Sequence, residues 1–237
     1  MEGPHGHPED NDSRWNSHTR NLIEIDAHAK YELFLHGPDD WFDGSDSPGI
    51  HDEAFNFIAS TYNSATNKPK IAIVGFSRGA MIAQWVANDL SDAGIGVDYV
   101  GLMDPVDMAF SIPDSEGQVE SGIKRLTIVG PVEGAGNVDY GSFVRMSLQT
   151  RIFPAPGNNT TLIARFFLNA SHGSIGGTPG YNDEAEDNEY DYLLDRQNSI
   201  TTYEIIVAGL LAEGIDIRGI DESEYGFPMT NSENTTD

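Results

Sequence analysis

The sequence predicts an α/β fold, a sandwich in which a mostly parallel central sheet is flanked by helices. Short apolar runs of strand length alternate along the chain with segments whose apolar residues recur at helical spacing. Strands separated by helices pair in parallel through crossover connections. Residues 70–74 are almost wholly apolar and rich in Ile and Val, which is typical of a strand buried on both faces. The length of 237 residues, 38% of them hydrophobic, suits one domain with its own core.

The individual elements follow from the same patterns. In chain order the sequence predicts a strand at 31–36, a helix at 54–62, a strand at 70–74, a helix at 81–90, and strands at 99–103, 125–129 and 162–167. A closing helix is predicted at 199–213, with Ser199 as its N-cap and Gly214 as its stop.

The two ends of the chain differ in composition from its centre. Residues 1–18 are predicted to be a flexible polar arm, 19–220 the folded domain, and 221–237 an acidic tail. His5 and His7 in the arm lack a third ligand nearby, so no metal site is predicted there. The acidic run at 183–191 lacks the spacing of a calcium loop and is interpreted as a solvated charge run.

The charge balance excludes several classes of partner. The chain has 38 acidic residues against 13 basic ones, a formal net charge of −25, which repels nucleic acids and anionic membranes. Such acidity with only four lysines is typical of proteins from salt-rich habitats; the alternative is an acidic secreted protein with acidic tails. There are no cysteines, and no apolar run is long enough to predict a transmembrane helix. The polar N-terminus leaves open a cytoplasmic protein and a secreted one whose leader has been removed.

The segment at 71–81, IAIVGFSRGAM, carries the main chemical signal. It contains G-x-S-x-G between a buried-type strand and an amphipathic helix, the context of the nucleophile elbow of α/β-hydrolases. Gly75 and Gly79 are needed because side chains at these positions would collide where the strand turns into the helix. The pattern predicts Ser77 as a nucleophile; the alternative is a glycine-rich turn that binds phosphate or only packs tightly.

A serine nucleophile needs a histidine base and an acid, in the chain order serine, acid, histidine. Six of the seven histidines precede Ser77, which leaves His172, in a glycine-rich turn after the last predicted strand. Asp104 is the predicted acid, because it ends the strand at 99–103 and so emerges at the same sheet edge as Ser77. The alternatives for the acid are Asp107, Glu133 and Asp139.

The remaining site residues are predicted from their positions around the elbow. The oxyanion hole should use the backbone N–H of Arg78 and a second one from Gly37 or Asp39, although the loop at 35–40 could equally be an ordinary Gly-Pro turn. Side chains that flank the predicted site are expected to line an acyl pocket or else to belong to the core: Phe76, Trp41, Met108 and Phe110.

The string GFSRGA at 75–80 resembles the elbow of a bacterial family of α/β-hydrolases that includes the phospholipase effectors of type VI secretion. Asp104-Pro105-Val106 is similar to the turn that carries that family's acid, and the stretch from Phe166-Phe167 through His172 to Gly176-Gly177 is similar to its histidine motif. The resemblance implies an α/β-hydrolase fold, here reduced in size, and lipase or phospholipase activity. The family's first strand, with its Asp-Gly-Thr-like signature, is missing here, and the chain is much shorter than the effectors.

The expected function is hydrolysis of a small-molecule or lipid carboxylic ester by Ser77, His172 and Asp104, with no metal or cofactor. The alternative is a non-catalytic binding module that keeps the elbow as a structural turn.

Overall fold

The computed structural model describes residues 17–23, 29–37, 44–106, 118–132, 152–155, 157–168, 170–178 and 192–217, with only the backbone at 192–193. Its helices are α1 (His18–Asn21), α2 (Ser47–Ser64), α3 (Arg78–Asp92), α4 (His172–Gly176) and α5 (Tyr192–Ala212). Its strands are β1 (Ala72–Phe76), β2 (Val97–Met103), β3 (Gln118–Val119), β4 (Ile123–Pro131), β5 (Phe153–Pro154) and β6 (Thr161–Phe167). Residues 1–16 of the predicted arm (1–18), the tail at 221–237 and the acidic run at 183–191 lie outside the described residues. The last two residues of that arm, Ser17 and His18, cap and begin α1 instead, and His18 is buried.

The central sheet has four strands in the order β1-β2-β4-β6, and every neighbouring pair is parallel. The short strands β3 and β5 form a separate parallel pair. The predicted α/β architecture, with a parallel central sheet flanked by helices, is therefore confirmed. Among the helices that the structure describes, none is both long enough and apolar enough to cross a membrane.

Two apolar cores lie on opposite faces of the sheet. Val100 and Leu102 of β2 belong to the core that α3 closes, whereas Tyr99 and Met103 belong to the core around α5. Successive side chains of a strand point to opposite faces, so this alternation assigns the two helices to opposite sides. β2 is buried along its whole length, as a central parallel strand covered on both faces should be.

The strand predicted at 31–36 is wrong, because these residues form no strand. The segment and β1 border a common cavity of about 850 Å³; Leu33 and Leu35 line it together with Ile73 and Val74 of that strand. A strand is defined by its ladder of hydrogen bonds to a neighbour. The segment at 31–36 is not part of such a ladder, and β1 is the edge of the described sheet.

The start of the closing helix also differs from the prediction. α5 begins at Tyr192, seven residues before Ser199, so Ser199 is not an N-cap and is instead buried within the helix. The predicted stop is correct: Gly214 has φ +66°, and its N–H donates to the carbonyl of Leu211 at 2.8 Å. β1 also reaches two residues beyond the predicted strand, to Phe76.

Candidate active site

Three parallel strands bring the predicted site residues to one edge of the sheet. Phe76, the last residue of β1, is in register with Met103, the last residue of β2, so Ser77 and Asp104 leave the sheet side by side. β6 ends at Phe167, and the chain then turns into α4 at His172. Residues far apart in sequence therefore meet where the carboxyl ends of parallel strands meet.

Ser77 occupies a sharp turn between β1 and α3. Its backbone has φ 56° and ψ −127°, a conformation that costs a side-chain-bearing residue on the order of 1–3 kcal/mol. A hydrogen bond from its N–H to the carbonyl of Met103, at 2.9 Å, anchors the turn to β2. A Cβ on Gly75 would overlap the carbonyl of Gly79 and lie 2.7 Å from the Cα of Ala80. The turn therefore requires glycine at position 75, as the sequence predicts.

Asp104 is fully buried and also has a positive φ, of 38°. Its N–H donates to the carbonyl of Val129 on β4 at 2.7 Å, which fixes the residue between the two neighbouring strands. Two residues further on, the N–H of Val106 donates to the carbonyl of Ser77 at 3.2 Å. The turn after β2 is thus hydrogen-bonded to the elbow itself.

His172 joins the two other side chains by a hydrogen bond from each ring nitrogen. Its Nδ1 lies 2.7 Å from Asp104 Oδ2, and its Nε2 lies 3.0 Å from Ser77 Oγ. An ionised carboxylate only accepts hydrogen bonds, so the proton belongs on Nδ1, and Nε2 is the ring nitrogen that can accept the serine proton. This is the geometry of a nucleophile, a base and an acid that orients the base.

The surroundings of His172 are more ordered than a glycine-rich turn implies. His172 begins α4, whose N-cap Ser171 accepts a hydrogen bond from the N–H of Ser174 at 2.9 Å. The ring of Phe76 packs against the imidazole, with 4.5 Å between the ring centroids. All three members of the hydrogen-bonded chain are less than 10% exposed.

The other predicted residues are described only in part. Arg78 is the first residue of α3, where backbone N–H groups have no carbonyl within the helix to bond, and its side chain is buried. Gly37 is half-buried, and its part in an oxyanion hole stays a prediction. Phe76 belongs to the core beneath His172, one of the two roles expected for it. The remaining predicted residues lie outside the described part of the chain: Asp39, Trp41, Met108 and Phe110, with the alternative acids Asp107, Glu133 and Asp139.

The cavity beside β1 is a feature separate from this site. Neither Ser77 nor His172 nor Asp104 is among its lining residues, which come from β1, α2, the end of α5 and the segments at 19–23, 29–35, 65–71 and 214–217.

α5 carries a polar stripe that the sequence patterns did not predict, and two of its residues, Asp195 and Asn198, hold the chain just before His172. The four residues of the stripe are all buried and recur at helical spacing: Asp195, Asn198, Ser199 and Thr202. Asp195 accepts two hydrogen bonds from Ser171, and the carbonyl of Ser199 lies 2.9 Å from Nε2 of the buried His18. Burial lowers the pKa of His18 to about 4, against the opposing effect of that bond. Small polar residues at this spacing, on a helix otherwise rich in apolar residues, are the signal that could have revealed the stripe.

Comparisons of the chain with protein-family models, with curated proteins and with solved structures found no match.

Proposed function

We propose that this protein is a serine hydrolase of the α/β-hydrolase type that cleaves carboxylic esters through an acyl-enzyme. Ser77 is the nucleophile, His172 the general base and acid, and Asp104 the residue that orients His172. The observation that carries the proposal is the continuous hydrogen-bonded chain from Ser77 Oγ through both ring nitrogens of His172 to Asp104 Oδ2.

Two further features support a catalytic role over a structural one. The nucleophile turn holds a serine at positive φ, a strained conformation that proteins retain mainly where a function depends on it. Asp104 is entirely buried, and a buried carboxylate costs stability unless partners compensate it. A turn that served only to connect β1 with α3 would need neither the strain nor the buried carboxylate.

The reaction follows from the positions of the protons. Ser77 Oγ attacks the ester carbonyl carbon while His172 Nε2 takes its proton, and Asp104 stabilises the resulting imidazolium. The tetrahedral oxyanion would accept a hydrogen bond from the N–H of Arg78. His172 then protonates the leaving alcohol, and the acyl group remains on Ser77. Water, deprotonated by the same nitrogen, attacks the acyl carbon; the bond to Ser77 Oγ breaks, His172 returns the proton to Oγ, and the carboxylic acid is released.

Covalent labelling of the folded protein with a fluorophosphonate tests the mechanism. We expect one adduct, located by mass spectrometry on the peptide that contains Ser77 and absent in Ser77→Ala. Ser174→Ala is a matched control, because Ser174 is also a buried serine in this region but its hydroxyl donates to the carbonyl of Ser171. A protein with its native circular dichroism spectrum that takes up no label would contradict the proposal and favour a binding module.

The substrate class is tested separately, with short- and long-chain p-nitrophenyl esters and with phospholipid vesicles. The resemblance to the type VI secretion family favours long-chain lipid esters. Turnover of short-chain esters alone would assign an esterase, and fatty-acid release from vesicles a phospholipase.

A further inference from the structure

α5 contacts the segment around His172 at successive positions along one face. Asn198 Nδ2 donates to the carbonyl of Leu168 at 3.3 Å, just before the turn into α4. One helical turn earlier, Asp195 accepts a hydrogen bond from the N–H of Ser171 at 2.7 Å and another from its hydroxyl at 2.8 Å. α5 therefore holds the backbone between β6 and His172 at two points, Leu168 and Ser171.

Asp195 makes the most substantial of these contacts. It has no exposed surface, and both of its carboxylate oxygens are used by Ser171, the residue directly before His172. Hydrogen bonds to a charged acceptor are roughly twice as strong as neutral ones, and removing one partner of a buried pair leaves the other unsatisfied. The Ser171 hydroxyl also accepts from the N–H of Ser174, so Asp195 fixes the oxygen that caps α4.

α4 has a reason to need this external support. It contains only five residues, and an isolated helix of that length is not stable in water. The imidazole must nevertheless satisfy two distances at once, to Ser77 Oγ and to Asp104 Oδ2. Asp104 restrains one ring nitrogen but not the backbone that carries the ring.

We infer that Asp195 is a positioning residue: through Ser171 it fixes the backbone of His172 so that the imidazole bridges Ser77 and Asp104. This role rests on the proposed function of that site. It adds a second buried carboxylate to the mechanism, one that acts on His172 through Ser171, the preceding residue of the chain.

The test compares Asp195→Ala and Asp195→Asn with Thr202→Val. Thr202 is a matched control, because it is equally buried on the same stripe but its hydroxyl donates within α5, to the carbonyl of Asn198. With a fluorophosphonate, we expect the maximal labelling rate of Asp195→Ala to fall about 100-fold, the effect of a misplacement near 1 Å, with the inhibitor affinity unchanged. Asp195→Asn keeps the shape of the side chain and one acceptor oxygen, so its maximal labelling rate should fall only about tenfold. Thr202→Val should label at the wild-type rate, whatever its thermal stability.

A second readout does not depend on activity. In the protein labelled with ¹⁵N-histidine, the His172 signals, assigned by their loss in His172→Gln, should report a protonated Nδ1 and an unprotonated Nε2. We expect this difference between the two nitrogens to collapse in Asp195→Ala and to persist in Thr202→Val. If Asp195→Ala does not fold, Asp195→Asn and Ser171→Ala take its place.

The outcomes separate the two proposals. If the wild-type protein takes up no label, the proposed hydrolase function is refuted. The ¹⁵N signals then still decide whether Asp195 orients His172. Wild-type ¹⁵N signals in folded Asp195→Ala would overturn the positioning role, as would labelling of that variant at the wild-type rate.

Discussion

Replacing Gly75 by alanine probes the elbow where β1 turns into α3. The added Cβ would lie 2.6 Å from the carbonyl carbon of Gly79, about 0.8 Å closer than an unstrained contact of 3.4 Å. The opposing atoms belong to the backbone of a helix, so no side-chain rotation relieves the overlap and α3 itself must shift. Overpacking of this kind costs about 1–3 kcal/mol, and we expect Gly75→Ala to lie near 3 kcal/mol because the neighbour is rigid.

The assay is urea unfolding followed by circular dichroism, with Gly49→Ala as the matched control. Gly49 lies in α2, and a Cβ added there would have no atom within 4 Å, so alanine should stabilise the helix by about 0.5–1 kcal/mol. The same shift of α3 would move Ser77 away from His172, and fluorophosphonate labelling of folded Gly75→Ala should slow by about 100-fold. A Gly75→Ala protein with wild-type stability and labelling would refute the steric account of the elbow.

Three other predictions concern the triad, a buried histidine and the net charge. Asp104→Asn should lower kcat on an accepted ester by about 10⁴-fold with little change in KM, because an amide favours the wrong tautomer of His172; a loss below tenfold would contradict this role. His18 stays neutral in the fold, where its pKa is about 4, and takes up a proton near pH 6.5 when unfolded, so its stabilising contribution is complete above pH 6.5 and declines as the pH falls to 4. In urea titrations, the free energy of unfolding of the wild type should fall by about 3 kcal/mol between pH 6.5 and 4, and His18→Gln should lack this fall. Equal pH slopes in the two proteins would refute the contribution of His18. The net charge of −25 predicts that Tm rises between about 0.01 and 1 M NaCl, as the Debye length falls from about 30 to 3 Å, and a constant or falling Tm would argue against charge repulsion as a destabilising factor.

Sequence patterns predicted best the elements whose apolar residues form a continuous run or recur at regular spacing along the chain. The strands β2, β4 and β6 and the helices α2 and α3 all contain the residues expected for them. The segment at 31–36 failed because alternating apolar residues do not by themselves supply a hydrogen-bonding neighbour. α5 was predicted too short because its first turns carry buried polar residues, which a search for apolar periodicity passes over.

The sequence by itself determined the elbow at Ser77, since a buried strand, two glycines and an amphipathic helix are consecutive in the chain. It also singled out His172, since no other histidine follows the serine. Only the tertiary structure decided that Asp104 Oδ2 lies 2.7 Å from the imidazole and that Asp195 supports it from α5. The physical reason is that both carboxylates act across distances of 24 to 68 residues in the chain, through strand register and helix packing that no local pattern encodes.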